Sequence, residues 1–262
     1  MHTDLARLDL RLRRRGLWAS TIGMGAYVVL VVAIYPTFKD DTSLAALASG
    51  NSSLAALLGI SGSLTSPVGW MNANVYANFL PLVVLLMTIG YGASSVAGHD
   101  EEGLLGLTAA LPLSRSSLAA QKVLALVGMA LPVATVTMLA AFVGRRFELD
   151  LEAGPLLAAT CAVVALGIVF GLMALLVGAL TGRRGTALGV TSAVAAVAYV
   201  VSSLAPVVPW VHAIRWASPF YWAVGAGQLT DGVGVGAATA LTTTTLVLAA
   251  ACVWAVNRMD IH

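Results

Sequence analysis

A loop that cradles nucleotide phosphates needs a lysine directly after a glycine. This chain has two lysines, Lys39 after Phe38 and Lys122 after Gln121, so ATP hydrolysis on this polypeptide is excluded. Gly59-Ile60-Ser61-Gly62 matches the G-x-S-G pattern of intramembrane serine proteases, with His212 as a base that could be cast. A nucleophile needs its base in hydrogen-bond reach inside a shielded site. Ser61 falls in a Gly- and Ser-rich stretch with Pro67 close behind, so the match is assigned to chance. Gly232, Gly234 and Gly236 form half of a dinucleotide fingerprint, without the strand before it or the acidic residue after it,. Cys161 and Cys252 lie in apolar runs without metal-ligand spacing,. No catalytic, cofactor or metal site is expected.

The polar residues that remain are uncharged. Asn74 and Asn78 stand one helical turn apart just before Pro81, on one face, and could line a pathway. The competing reading is that they bond neighbouring helices or their own backbone, as polar groups in membrane helices commonly do. Gly167 and Gly171, and again Gly178 and Gly182, have the spacing that lets helices approach closely,.

The elements that must carry these residues follow from composition. Of 262 residues, 59% are hydrophobic and 10% charged, with a net charge of +2; mean hydropathy is +0.90. Too few charges are available to cover a soluble fold, and disorder is excluded for the same reason. The net charge gives no support to nucleic-acid binding. A spanning helix needs about 20 apolar residues. Six segments qualify: Leu17 to Tyr35, Val75 to Ala97, Val123 to Val143, Pro155 to Leu180, Thr186 to Leu204 and Ala237 to Val256. As drawn, none contains Asp, Glu, Lys, Arg or His, so a proton relay through the membrane has no evident carrier. The expected fold is an all-α polytopic membrane protein forming a single domain over 1–262. It comprises an interfacial helix (1–16), a six-helix region (17–256) and a tail (257–262).

Basic residues set the orientation. With the N-terminus in the cytoplasm, ten Lys and Arg fall inside and four outside, while the acidic residues divide six and six. Both termini are expected to be cytoplasmic, with Arg145-Arg146 the one local exception. The first apolar run is too long for a signal-peptide core and lacks a cleavage site, so it reads as a retained helix.

Residues 3 to 16 read as a short amphipathic helix, with Leu5, Leu8 and Leu12 on one face and Arg7, Arg11 and Arg14 opposite. It is either an interfacial anchor on anionic lipid or a topology signal alone. Between spans two and three, Asp100, Glu101 and Glu102 precede Gly103, Leu104, Leu105 and Leu107, then Pro112, Ser114 and Arg115. Exposed leucines beside a charge cluster point to a protein contact, and the alternative is a helix flat on the bilayer. Before the last span, Trp210, Trp216, Phe220, Tyr221 and Trp222 are interleaved with Pro206, Pro209 and Pro219. Too broken for a seventh span, this stretch reads as a re-entrant or interfacial hairpin, overlapping with an ordinary aromatic belt.

Taken together, the chain resembles the membrane subunits of ABC-2 type (type V) ATP-binding cassette exporters. The stretch from Asp100 to Arg115 carries most of the resemblance: Glu101, Glu102, Gly103, Pro112, Ser114 and Arg115 fit the family pattern. Leu104 replaces the usual Thr, and Gly106 stands where an acidic residue is common. Ser218-Pro219-Phe220 also fits. The resemblance implies a coupling helix over Asp100 to Arg115 that docks on a cytoplasmic ABC ATPase, with two ATPase copies holding ATP and Mg. It also implies a second permease, identical or homologous, and an outer gate made by the aromatic hairpin. The expected setting is the bacterial inner membrane, and the expected substrates are drugs, antibiotics or lipid-like molecules. The other reading is a non-transporting membrane anchor or assembly protein that uses the same cytoplasmic segment to bind a partner.

Overall fold

The computed structural model describes residues 4–40, 64–95, 115–225 and 227–258. Every regular element among them is helical. Among the described residues six helices are long and apolar enough to cross a membrane: Arg14–Phe38, Pro67–Ala93, Ala120–Phe147, Ala153–Thr181, Arg184–Leu204 and Val235–Ala255. The chain is therefore an all-α polytopic membrane protein. The spans are numbered 1 to 6 in that order. The end of the bundle where span 1 begins is called basal and the opposite end apical.

A nine-residue helix, α1 (Asp4–Leu12), precedes span 1. Span 1 is α2 (Arg14–Phe38). Span 2 is composite: α3 (Pro67–Met71), a π-helical turn (Asn72–Tyr76) and α4 (Phe79–Ala93). Span 3 lies in α5 (Arg115–Val143), followed by a 3-10 turn (Gly144–Phe147). Spans 4 and 5 are α6 (Ala153–Thr181) and α7 (Arg184–Leu204). Three short helices follow, α8 (Pro209–Ile214), α9 (Pro219–Val224) and α10 (Gln228–Asp231), before span 6 in α11 (Val235–Arg258).

Span 2 starts eight residues before the expected Val75. Ser66 caps the new start, its hydroxyl accepting from the Gly69 N–H, and Pro67 occupies the first turn, where its missing donor costs nothing,. Asn72 and Asn74 lower the hydropathy of this stretch, which hid the helix from an apolar-run criterion.

Span 4 is the central post. Two-thirds of its apolar window (67%) is buried, against 17% for span 6. Glycines let span 2 press against it. A Cβ on Gly167 would lie 2.4 Å from Val84 Cγ1, and one on Gly92 would lie 2.2 Å from the Gly171 carbonyl oxygen. Gly167 and Gly171 thus serve packing within the chain. Gly182 does not repeat that role: it caps span 4 at φ +64°, a left-handed conformation that favours glycine,.

Candidate functional site

Span 2 is broken at its apical third. The π-helical turn and the kink at Asn78 (φ −128°, ψ −71°) displace the regular backbone ladder. In an apolar medium every freed carbonyl must find a donor. Tyr27 of span 1 donates to the Asn74 carbonyl at 2.9 Å, and Asn78 Nδ2 donates to the Ala73 carbonyl at 3.0 Å. Asn74 turns its own amide back to the Trp70 carbonyl at 2.9 Å. The remaining polar atom of the Asn78 amide, Oδ1, accepts from Tyr199 of span 5 at 2.6 Å. The two asparagines therefore have different roles. Asn74 bonds to backbone within its own helix, and Asn78 joins spans 2 and 5.

Below that joint lies a half-open groove of about 530 Å³ between spans 2 and 5. Leu82, Leu85, Leu86 and Ile89 form one wall, Leu188, Ser192, Ala195 and Tyr199 the other, and Phe220 closes the apical end. Leu82 and Leu86 are exposed on the outer surface of the bundle, so the groove opens sideways. Among the described residues its lining contains no carboxylate, histidine, lysine or arginine; Asn78, Ser192 and Tyr199 supply its polar side chains.

The aromatic residues before span 6 are spread over different environments. Phe220 is buried (4% exposed) between Phe170 and Tyr199, with ring centroids 5.8 and 5.6 Å away. Tyr221 meets Trp216 edge-on at 5.4 Å and lies under the Arg215 guanidinium at 5.3 Å. Trp222 Nε1 donates to the Trp216 carbonyl at 3.1 Å. Trp210 is 71% exposed. Of the five aromatics expected at an outer gate, Phe220 alone lines the groove. His212 is exposed on α8.

Sequence reasoning missed a charged cluster at the basal end. Asp9 of α1 is buried (8% exposed), as is Lys122 of span 3 (4%). Asp9 Oδ2 accepts from Lys122 Nζ at 2.8 Å and from the Tyr91 hydroxyl of span 2 at 2.6 Å. Arg13 donates to Ser94 and places its guanidinium 5.3 Å from the centre of the Tyr91 ring. The face that α1 turns to the bundle is Ala6, Asp9 and Leu10, while Leu8, Leu12, Arg7 and Arg11 are exposed. A signal was present: Asp9 shares a helical face with Ala6 and Arg13, at spacings of three and four residues. The division of the helix into a leucine face and an arginine face left Asp9 out of account.

Asp100, Glu101, Glu102, Gly103, Leu104, Leu105, Leu107, Pro112 and Ser114 lie outside the described residues, and Arg115 opens the helix that becomes span 3. Ser61 and the Ser43-to-Leu57 repeats also lie outside them.

A comparison of the sequence with protein-family models found no match, and a comparison with curated proteins found none either.

Proposed function

We propose that this chain is the permease subunit of an ATP-driven exporter of the ABC-2 type, paired with a second permease and coupled to ATPase subunits on separate chains. The observation that supports this best is the groove between spans 2 and 5. Among the described residues its lining is mainly apolar and carries no group that could bind or release a proton at neutral pH, and it opens sideways. Movement of a substrate along such a surface needs energy from elsewhere, and the chain has no phosphate-binding lysine of its own,. In this reading the basal end is cytoplasmic, in agreement with the basic residues there. The segment from Asp100 to Arg115 is the coupling helix, and the α8–α9 hairpin lies at the outer membrane face. The substrate is a drug, antibiotic or lipid-like molecule, and the membrane is the bacterial inner membrane. The basal ion cluster does not favour a proton carrier, because among the described residues no second ionised pair lies between it and the apical end.

The test is co-purification with identification of bound chains by mass spectrometry, followed by ATP-driven transport in proteoliposomes. Purified alone, the chain is expected to hydrolyse ATP at background rate only. Leu104→Asp or Leu105→Asp is expected to weaken ATPase capture by about 2 kcal/mol, the scale of a buried interface anchor, and Glu101→Gln by less. Robust hydrolysis by the lone chain, or a captured partner that is not an ATPase, would overturn the reading; the second result would favour a membrane anchor or assembly protein.

A further inference from the structure

Helix α1 could rest loosely on the membrane surface, held by its leucines and arginines alone. Its contacts indicate otherwise. Three segments far apart in sequence meet on one carboxylate: Asp9 from α1, Tyr91 from the basal end of span 2 and Lys122 from the first turns of span 3. Both members of the ion pair have side chains at least nine-tenths buried, at 10% exposure for Asp9 and 5% for Lys122. A charge withdrawn from water in this way is tolerated only while its partner stays in place, so the pair holds a fixed geometry. Arg13 adds a second tether, to Ser94. Apolar contact continues beside the pair. Leu10 packs over Gly128 of span 3, where an added Cβ would lie 2.8 Å from Leu10 Cδ1. Ala6, Ala125 and Met129 belong to the same buried cluster.

We infer that Asp9, Lys122 and Tyr91 form a clasp that makes α1 and the basal half of span 3 a single rigid unit, with α1 acting as a mechanical extension of the bundle. Asp9 is a positioning residue: it fixes where the arginine face of α1 stands relative to spans 2 and 3. Force applied to that face is delivered to span 3 without slack. The docking holds whatever the protein does; only its consequence for transport rests on the exporter reading above.

The docking is tested by maleimide labelling of Ala6→Cys in full-length protein in membranes, with the exposed Cys161 replaced by Ala. Ala6 is buried (3% exposed), so the parent should label slowly. Asp9→Asn and Lys122→Met should each speed labelling by about tenfold or more, since each strands the other partner. The charge exchange Asp9→Lys with Lys122→Asp should bring the rate most of the way back. If a single variant fails to insert, recovery of inserted protein by the exchange is the corresponding readout. Slow labelling in both single variants, or no recovery in the exchange, would overturn the clasp.

Rigidity is tested separately by a Leu10→Cys, Gly128→Cys disulfide. If α1 and span 3 move as one, the locked protein should keep ATP-driven transport at the rate of its reduced form. If locking stops transport that resumes on reduction, the two elements separate in the cycle and the single-unit inference fails. If reduced and parent proteins both lack ATP-driven transport, the exporter reading fails, and the labelling result still decides the clasp.

Discussion

The two ends of the bundle are tied by opposite chemistry. At the apical end the ties inside the bundle are neutral: Tyr27 to the Asn74 carbonyl, Tyr199 to Asn78, and Tyr76 with Thr160 at 2.9 Å; the ion pairs there, Lys39–Glu148 and Arg145–Asp150, lie at the surface. At the basal end they are ionic, built on Asp9, Lys122 and Arg13. The tie from Tyr27 serves the backbone at the break in span 2, where a freed carbonyl would otherwise lack a donor in an apolar medium,, and the other two join side chains of different spans. A charge there would carry its own desolvation cost. The basal ties repair nothing in the backbone. They bring together segments 82 and 113 residues apart, at an end where charged side chains can reach the interface. Neutral bonds hold the spans to one another, and the ion pair fixes a helix that precedes the spans.

The largest expected effect tests whether the basal end also depends on close backbone approach. Gly92→Ala would put a methyl 2.2 Å from the Gly171 carbonyl oxygen, which is backbone and cannot turn aside, whereas Gly90 has open space. Gly92→Ala should cost about 3 kcal/mol, as severe overpacking does, and Gly90→Ala should cost far less. Melting of the detergent-solubilised protein compares them; equal stability would mean that spans 2 and 4 can part here freely. The apical joint is weaker. A double-mutant cycle of Asn78→Leu and Tyr199→Phe should return a coupling of about 1 kcal/mol, and purely additive effects would remove that joint from the comparison.

A smaller gain is expected nearby. Thr191 Oγ1 is buried in span 5 with no hydrogen-bond partner among the described residues. Thr191→Val should raise stability by up to about 1 kcal/mol by removing a stranded hydroxyl; a loss would reveal a hidden partner. The smallest effect belongs to the exposed Lys39–Glu148 pair at the apical edge. The hydrogen bond and charge of Glu148 hold the Lys39 ammonium above its ordinary value of 10.5. A raised lysine contributes fully below its unfolded value and loses the contribution as pH climbs through the folded one. The stability difference between wild type and Lys39→Gln should therefore be small and equal at pH 7 and pH 9, and vanish only in stronger base. A difference that already falls between those pH values would mean that the pair does not hold Lys39 charged.

Much of the fold was legible because apolar length is a strong signal: all six spans were expected, and five begin within about four residues of the expected start, a normal boundary error,. Span 2 misled because Asn72 and Asn74 interrupt the apolar run just before Val75, while the Asn74 side chain bonds the Trp70 carbonyl and keeps to the helix path. Asn78 was legible as a polar residue with two roles open, and the groove distinguishes it from Asn74. Asp9 was legible only as far as the helical face it shares with Ala6 and Arg13. Its partners come from two other segments, and no local pattern names a contact 113 residues away. Gly182 matched a packing motif by spacing alone, while its positive φ, invisible in sequence, gives it a turn.

That turn has a geometric consequence. Only Gly182 and Arg183 separate spans 4 and 5. Span 5 has 21 residues, so it is a rod about 30 Å long at 1.5 Å per residue, fixed at its foot to the central post. Its foot cannot slide, so its freedom is angular. A tilt of about 10° around Gly182 would carry the far tip roughly 5 Å, by the same rise per residue, while the base hardly moved. The groove runs along this rod, so such a tilt would widen it as a wedge, most at the apical end, where Tyr199 grips Asn78.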